Sequence, residues 1–241
     1  MKREVVIVTG ASTSIGSSLV AQLLGDGYKV VAQINQNLGD LVASARKFPD
    51  QLDIVTQDLS DEARARELME KTAAKHGRID VLINTIGPML HKPLTDVTPL
   101  DWREQVHFNL NLAFYLTFYA QQYLRASQEG HIVNFAFSGA EQLKGRVDST
   151  AYCAAKAGLV VLTKSLASAM ARFGIRVNAL CPGLIEANDP VDAERKEIAE
   201  NLPLGRPGRP SEVSQVLSWL LTESPAYVTG ALISVSGAWE Y

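Results

Sequence analysis

Tyr152 and Lys156 stand four residues apart in 151–172, a stretch with the apolar spacing of a helix, so both side chains project from one face. Together they are suited to proton transfer. A phenol with its ordinary pKa of about 10 is a poor acid or base at neutral pH. An ammonium beside it favours the phenolate and draws it toward working pH, the task Lys156 would serve. A second feature is the run Thr9-Gly10-Ala11-Ser12-Thr13-Ser14-Ile15-Gly16, which ends one apolar segment and opens an amphipathic one. A glycine turn in that context aims backbone N–H groups and a helix N-terminus at a diphosphate. Taken singly, each feature has an ordinary alternative: a pair on a packed amphipathic helix, or a tight turn before one. Asn84-Thr85-Ile86-Gly87 and Pro182-Gly183-Leu184-Ile185 each follow a further apolar segment and extend the set.

The elements that must hold these residues are legible as an alternation. Segments 5–9, 29–34, 52–57, 81–85, 132–137, 176–181 and 233–235 are short, apolar and rich in β-branched residues, and read as seven strands. Between them, 15–24, 62–75, 101–124, 151–172 and 212–221 carry helical periodicity. The predicted fold class is α/β: a Rossmann-type, doubly wound, seven-stranded parallel sheet with helices on both faces. Ligands of such sheets bind beyond the carboxyl ends of the strands, where all four features fall. Residues 1–241 are expected to form a single dinucleotide-binding and catalytic domain. The proline- and glycine-marked stretch 186–207, with a charged helix-like run at 192–200, is expected to be a substrate flap.

In this order, along nearly the whole chain, the motifs resemble those of the classical short-chain dehydrogenase/reductase family. The first turn is similar to its T-G-x-x-x-G-x-G motif, with Ser14 in place of the middle glycine. Asn84-Thr85-Ile86-Gly87 is similar to its N-N-A-G element, and Tyr152-x-x-x-Lys156 looks like its catalytic pair. Pro203-Leu204-Gly205-Arg206 and Tyr227-Val228-Thr229-Gly230 resemble the 3-oxoacyl-carrier-protein reductase branch, while the polar flap leaves a pteridine-type substrate open.

The resemblance implies a nicotinamide cofactor and transfer of a hydride to or from a small carbonyl or alcohol, with Tyr152 protonating the oxygen. It implies that Ser138 holds that oxygen, although Ser138 lies fourteen residues before Tyr152 and the family's commonest spacing, thirteen, falls on Gly139. Asn109 resembles the helix asparagine that holds a water linking Lys156 to solvent; a buried polar residue paired with backbone is the other reading. Gly10, Ser12, Ser14, Ile15 and Gly16 would carry the diphosphate, and Asn84 and Gly87 would line the adenosine and nicotinamide side. Pro182, Gly183 and Ile185 would place the carboxamide, with Ala187 where the family often has threonine. Asp58 and Leu59 would meet the adenine, unless Asp58 caps the helix that begins near Ser60. Self-association as a homotetramer or homodimer is implied too, with Trp239 and Tyr241 either in that interface or packed within one subunit. A cofactor-binding regulatory protein without turnover is the rival reading.

Charge chooses the dinucleotide. A ribose 2′-hydroxyl is held by an acid after the second strand, whereas a 2′-phosphate repels one. The segment Gln33-Ile34-Asn35-Gln36-Asn37 carries no acid, so Asn35 and Gln36 favour NADP(H); NAD(H) remains the alternative, since no Arg or Lys clamps the position. A net charge of −3 without long runs gives no reason to expect nucleic acid, and no uninterrupted apolar run has the length of a membrane span. The start MKREVVIVTG lacks the pattern of a signal peptide, and a cytoplasmic location is expected. Cys153 and Cys181 show no metal-binding spacing and read as packing; His91 reads as an exposed loop residue.

Overall fold

The computed structural model describes residues 5–127, 129–186 and 201–239. Seven strands form one all-parallel sheet in the order β3-β2-β1-β4-β5-β6-β7: β1 (Val5–Thr9), β2 (Lys29–Ile34), β3 (Leu52–Thr56), β4 (Val81–Asn84), β5 (His131–Phe135), β6 (Arg176–Pro182) and β7 (Leu232–Val235). The order reverses between β1 and β4, and the crevice at that switch point is where such sheets bind ligands. Strands β1, β4 and β5 are buried along their whole length, as central strands of a parallel sheet covered on both faces must be.

Helices α1 (Ser14–Gly25) and α7 (Pro210–Thr222) cover one face, where Val6, Val8, Leu19, Leu23, Leu217 and Leu220 form the core. Helices α3 (Glu62–His76), α5 (Leu112–Ala126) and α6 (Thr150–Met170) cover the other, with Ile7, Leu68, Leu82, Leu116, Ile132 and Met170. By length and composition 150–173 would pass as a membrane span, but α6 packs along β6 and against α4 (Pro99–Val106). A short helix α2 (Leu41–Lys47) is one that the periodicity does not predict. The long helix expected over 101–124 is in fact α4 and α5 joined by a π-type turn, His107–Asn111. Such turns bulge a helix and re-aim its side chains. Here the turn carries Asn109, which is 1% exposed.

His131 opens β5 wholly buried, and burial pushes its imidazole down to about 3, with the Arg176 charge adding to the effect. Asn178 Nδ2 lies 3.0 Å from its Nε2, so Nε2 accepts and Nδ1 carries the proton. The folded protein therefore keeps His131 neutral at pH values where the unfolded chain, with a histidine pKa of about 6.5, binds a proton. Unfolding takes up that proton between those values, so stability falls as pH falls. From pH 7.5 to 5 the loss from this residue is expected to be about 2 kcal/mol. Urea denaturation at the two pH values checks it: His131→Gln should flatten the dependence by that amount, and an unchanged slope would place the titrating group elsewhere.

Candidate active site

Helix α6 delivers Tyr152 and Lys156 to the carboxyl edge of β4 and β5. Both are buried, at 8% and 3% exposure. The Lys156 Nζ donates to Phe135 O at 2.6 Å, the last carbonyl of β5, and lies 5.8 Å from the centre of the Tyr152 ring. Burial pushes this ammonium down to about 7, against a smaller opposing influence of Cys181. A proton at Lys156 is therefore readily gained or lost near neutrality. Gly87 forms the facing wall: a Cβ built there would stand 2.5 Å from Lys156 Nζ and 2.8 Å from Asn109 Oδ1. Only glycine leaves room for this approach.

Asn109 is oriented by its neighbours. Its Nδ2 donates to Pro88 O at 3.0 Å and to Gln105 Oε1 at 3.4 Å, and Gln105 Oε1 in turn accepts from Leu90 N at 3.3 Å. With its N–H bonds spent on those acceptors, the Asn109 amide presents Oδ1, buried and without a protein partner, to the Gly87–Lys156 gap. An unmatched buried acceptor there fits a bound donor such as water or a cofactor hydroxyl.

Ser138 lies at the carboxyl end of β5, beside β6 and β7. It is 1% exposed, its N–H donates to Pro182 O at 3.0 Å, and its Oγ lies 2.7 Å from Ser234 Oγ on β7. The neighbouring Phe137 faces Tyr152, ring centroids 5.6 Å apart and planes 26° from parallel. Adjacent residues in extended chain point to opposite sides, so Phe137 and Ser138 project differently from the end of β5.

At the cofactor end, Thr13 caps α1 by accepting from Gly16 N at 3.1 Å, and the first turn of α1 holds no acidic side chain. Gly10 takes a φ of +63°, and a Cβ on Gly16 would stand 2.4 Å from Gly10 O, so both glycines are required by the turn. Ser14 is absent from the residues with positive φ and opens the helix without strain. Gln33, grouped in the sequence with the amide donors, is spent inside the protein: its Oε1 accepts from Gly10 N at 2.9 Å and its Nε2 donates to Gln57 O at 2.6 Å. Asn35 and Gln36 remain exposed, and Gly39 packs against the turn, where a Cβ would stand 2.6 Å from Ser12 O.

Asp58 is exposed beyond β3 while Leu59 is buried; the cap of α3 is Asp61, accepting from Arg64 N at 2.9 Å, so the capping alternative for Asp58 is overturned. Asn84 Nδ2 donates to Asn134 Oδ1 at 2.9 Å, and its own carbonyl oxygen is buried without a partner. Pro182 ends β6, Gly183 N donates to Val235 O at 3.1 Å, and Ile185 bridges Gly208. That bridge draws together the two ends of the expected flap, whose central part, 187–200 with Ala187, lies outside the described residues, as does Tyr241. An acid-free helix start, glycines without room for a side chain and the unmatched acceptor at Asn109 Oδ1 fit a dinucleotide along the carboxyl edge.

A family model described as enoyl-(acyl carrier protein) reductase matches residues 10–239. A 3-oxoacyl-[acyl-carrier-protein] reductase of Thermotoga maritima is 34% identical over 98% of this chain and 98% of its own. An acetoacetyl-CoA reductase of Shinella zoogloeoides is 33% identical, covering 97% of each chain. The solved structure of a short-chain dehydrogenase from Bacillus anthracis superposes with a TM-score of 0.86 at 29% identity, covering 97% of this chain and 95% of that one. The chain belongs to the short-chain dehydrogenase/reductase family.

Within this short-chain dehydrogenase/reductase, three features escaped the sequence reading: the aromatic contact of Phe137, the bracing of Asn109 by Gln105, and the internal use of Gln33. The first had a signal in the fourteen-residue spacing, since a lengthened loop leaves the register at the strand end undetermined. The other two are bonds between residues 4 and 23 positions apart, set by packing rather than by motif. Cys181, read as packing, is held as an inert thiol, since burial pushes it up to about 12.

Proposed function

We propose that the chain is an NADP(H)-dependent carbonyl reductase, acting as one dinucleotide-binding and catalytic domain on a small ketone or its alcohol. The observation that carries this reading is the convergence of Tyr152, Lys156, Gly87 and the unmatched Asn109 Oδ1 at the carboxyl edge of β4 and β5. A bound nicotinamide supplies a hydride at its C4. Tyr152 gives its hydroxyl proton to the carbonyl oxygen as charge develops there. Lys156 holds the ribose and supports the phenolate, and Asn109 Oδ1 keeps a water in line to restore the proton. Gly10, Ser12, Ser14, Ile15 and Gly16 carry the diphosphate; Asp58 and Leu59 face the adenine; Asn84, Pro182, Gly183 and Ile185 border the nicotinamide. The two named relatives are a 3-oxoacyl-[acyl-carrier-protein] reductase and an acetoacetyl-CoA reductase, which supports a ketone substrate. A cytoplasmic location and a homodimer or homotetramer belong to the same reading; Phe114 and Phe118 on α5 and Val161 on α6 are exposed and apolar, which supports joining along those helices.

NADPH oxidation followed by near-ultraviolet absorbance against ketones, thioesters, pterins and quinones tests the reading, and absence of turnover with every substrate despite cofactor binding would overturn it. Cofactor choice is tested separately. Asn35 is exposed beyond β2, and Asn35→Asp would place a carboxylate against a 2′-phosphate. The ratio of kcat/KM with NADPH to that with NADH is expected to exceed one in the wild type and to fall about tenfold or more in the variant, the effect of about 1.4 kcal/mol of repulsion. An unaltered ratio would remove Asn35 from the cofactor site.

A further inference from the structure

The end of β5 bears on what the reacting carbon carries. Phe137 lies against Tyr152 and also lines a cavity of about 250 Å³, whose walls include Ala140, Leu143, Cys153 and Ala157. It is the shared wall of the phenol and the cavity. An apolar cavity of about 150 Å³ accepts a benzene ring, so this one has room for a ring with a short substituent or a fused second ring. Aromatic groups stack best with centroids roughly 4.5–7 Å apart, the spacing Phe137 already keeps with Tyr152. The charged residues in the lining, Lys144 and Arg146, are both cationic, which disfavours a cationic occupant. A phenyl face offers no hydrogen bond, so this wall favours the flat apolar face of a ring over a flexible polar chain. The hydroxyl of the next residue, Ser138, is shared with Ser234.

Resting on the carbonyl reductase reading, we propose that Phe137 is the specificity-determining residue and that the substrate is a ring ketone. Its flat, neutral or anionic ring stacks on Phe137 and enters the cavity. The step balances: the C=O π bond breaks, the carbon gains the hydride supplied by a dihydronicotinamide, and the oxygen gains the Tyr152 proton. The products are the secondary alcohol and the oxidised nicotinamide, and Tyr152 is reprotonated from solvent.

The test is kcat/KM with NADPH for isatin and for an acetoacetyl thioester, in the wild type, Phe137→Ser and Phe137→Leu. The wild type is expected to favour isatin about tenfold or more, Phe137→Leu to lose most of that preference by losing the flat face, and Phe137→Ser to lower the isatin-to-thioester ratio at least about tenfold. Circular dichroism and NADPH titration establish that each variant is folded and loaded. A ratio unchanged in both folded variants overturns the proposal, as does a wild type that favours the thioester together with a Ser138→Ala variant that loses about 100-fold on both substrates. A wild type that binds NADPH and reduces neither compound nor any other carbonyl overturns the reductase reading itself, an outcome distinct from active enzymes with unaltered ranking.

Discussion

Tyr152→Phe is expected to lower reductive turnover about 10³-fold, the contribution of one well-placed general acid, with little change in NADPH binding or melting temperature. The variant removes a single oxygen. The phenyl ring keeps the stacking against Phe137 at 5.6 Å and the place beside the Lys156 ammonium, so neither packing nor the cofactor's surroundings change. What disappears is the proton that neutralises the oxygen as hydride arrives. Single-turnover NADPH absorbance gives the chemical step, and fluorescence titration gives cofactor affinity. A rate within about threefold of wild type would show that another group or water delivers the proton, since general acids contribute at least about 10²-fold.

How much of this was legible before the structure depended on whether a feature was local. The strands with continuous apolar runs, such as Val5–Thr9 and Val81–Asn84, and the glycines of the first turn were readable because backbone conformation and burial act over a few residues. The Tyr152–Lys156 face was readable because a helix has one period. The end of β5 was not. Side chains alternate along a strand, so the direction of Phe137 and Ser138 depends on a register that loop length leaves open, and a one-residue change exchanges a hydroxyl for a phenyl. The π-type turn at His107–Asn111 was invisible for a similar reason, since one extra residue within a helical turn leaves the apolar pattern nearly intact. The sequence offers Asp58 as a cap for a helix beginning near Ser60, and only the bond from Arg64 N shows that the cap is Asp61, three residues later.

Gly87→Ala is expected to separate activity from stability. The glycine is not among those with positive φ, so alanine meets no backbone penalty, and its Cβ would meet the Lys156 Nζ at 2.5 Å and the Asn109 Oδ1 at 2.8 Å. One of the two must move. The Asn109 amide is tied to Pro88 O and Gln105 and sits buried in the π-type turn, whereas Nζ ends a four-carbon chain and is held by a single bond to Phe135 O. Lys156 therefore gives way, at a cost in folding of about 1 kcal/mol, the low end of overpacking. Displacing an ammonium by about 1 Å in a site that works by position is expected to lower kcat/KM about 10²-fold. Melting curves and steady-state kinetics on one preparation decide it. A large fall in melting temperature with kcat/KM preserved would mean that the strand-end loop yields in place of the lysine, and that Lys156 has more room beside Gly87 than the packing of Asn109 allows.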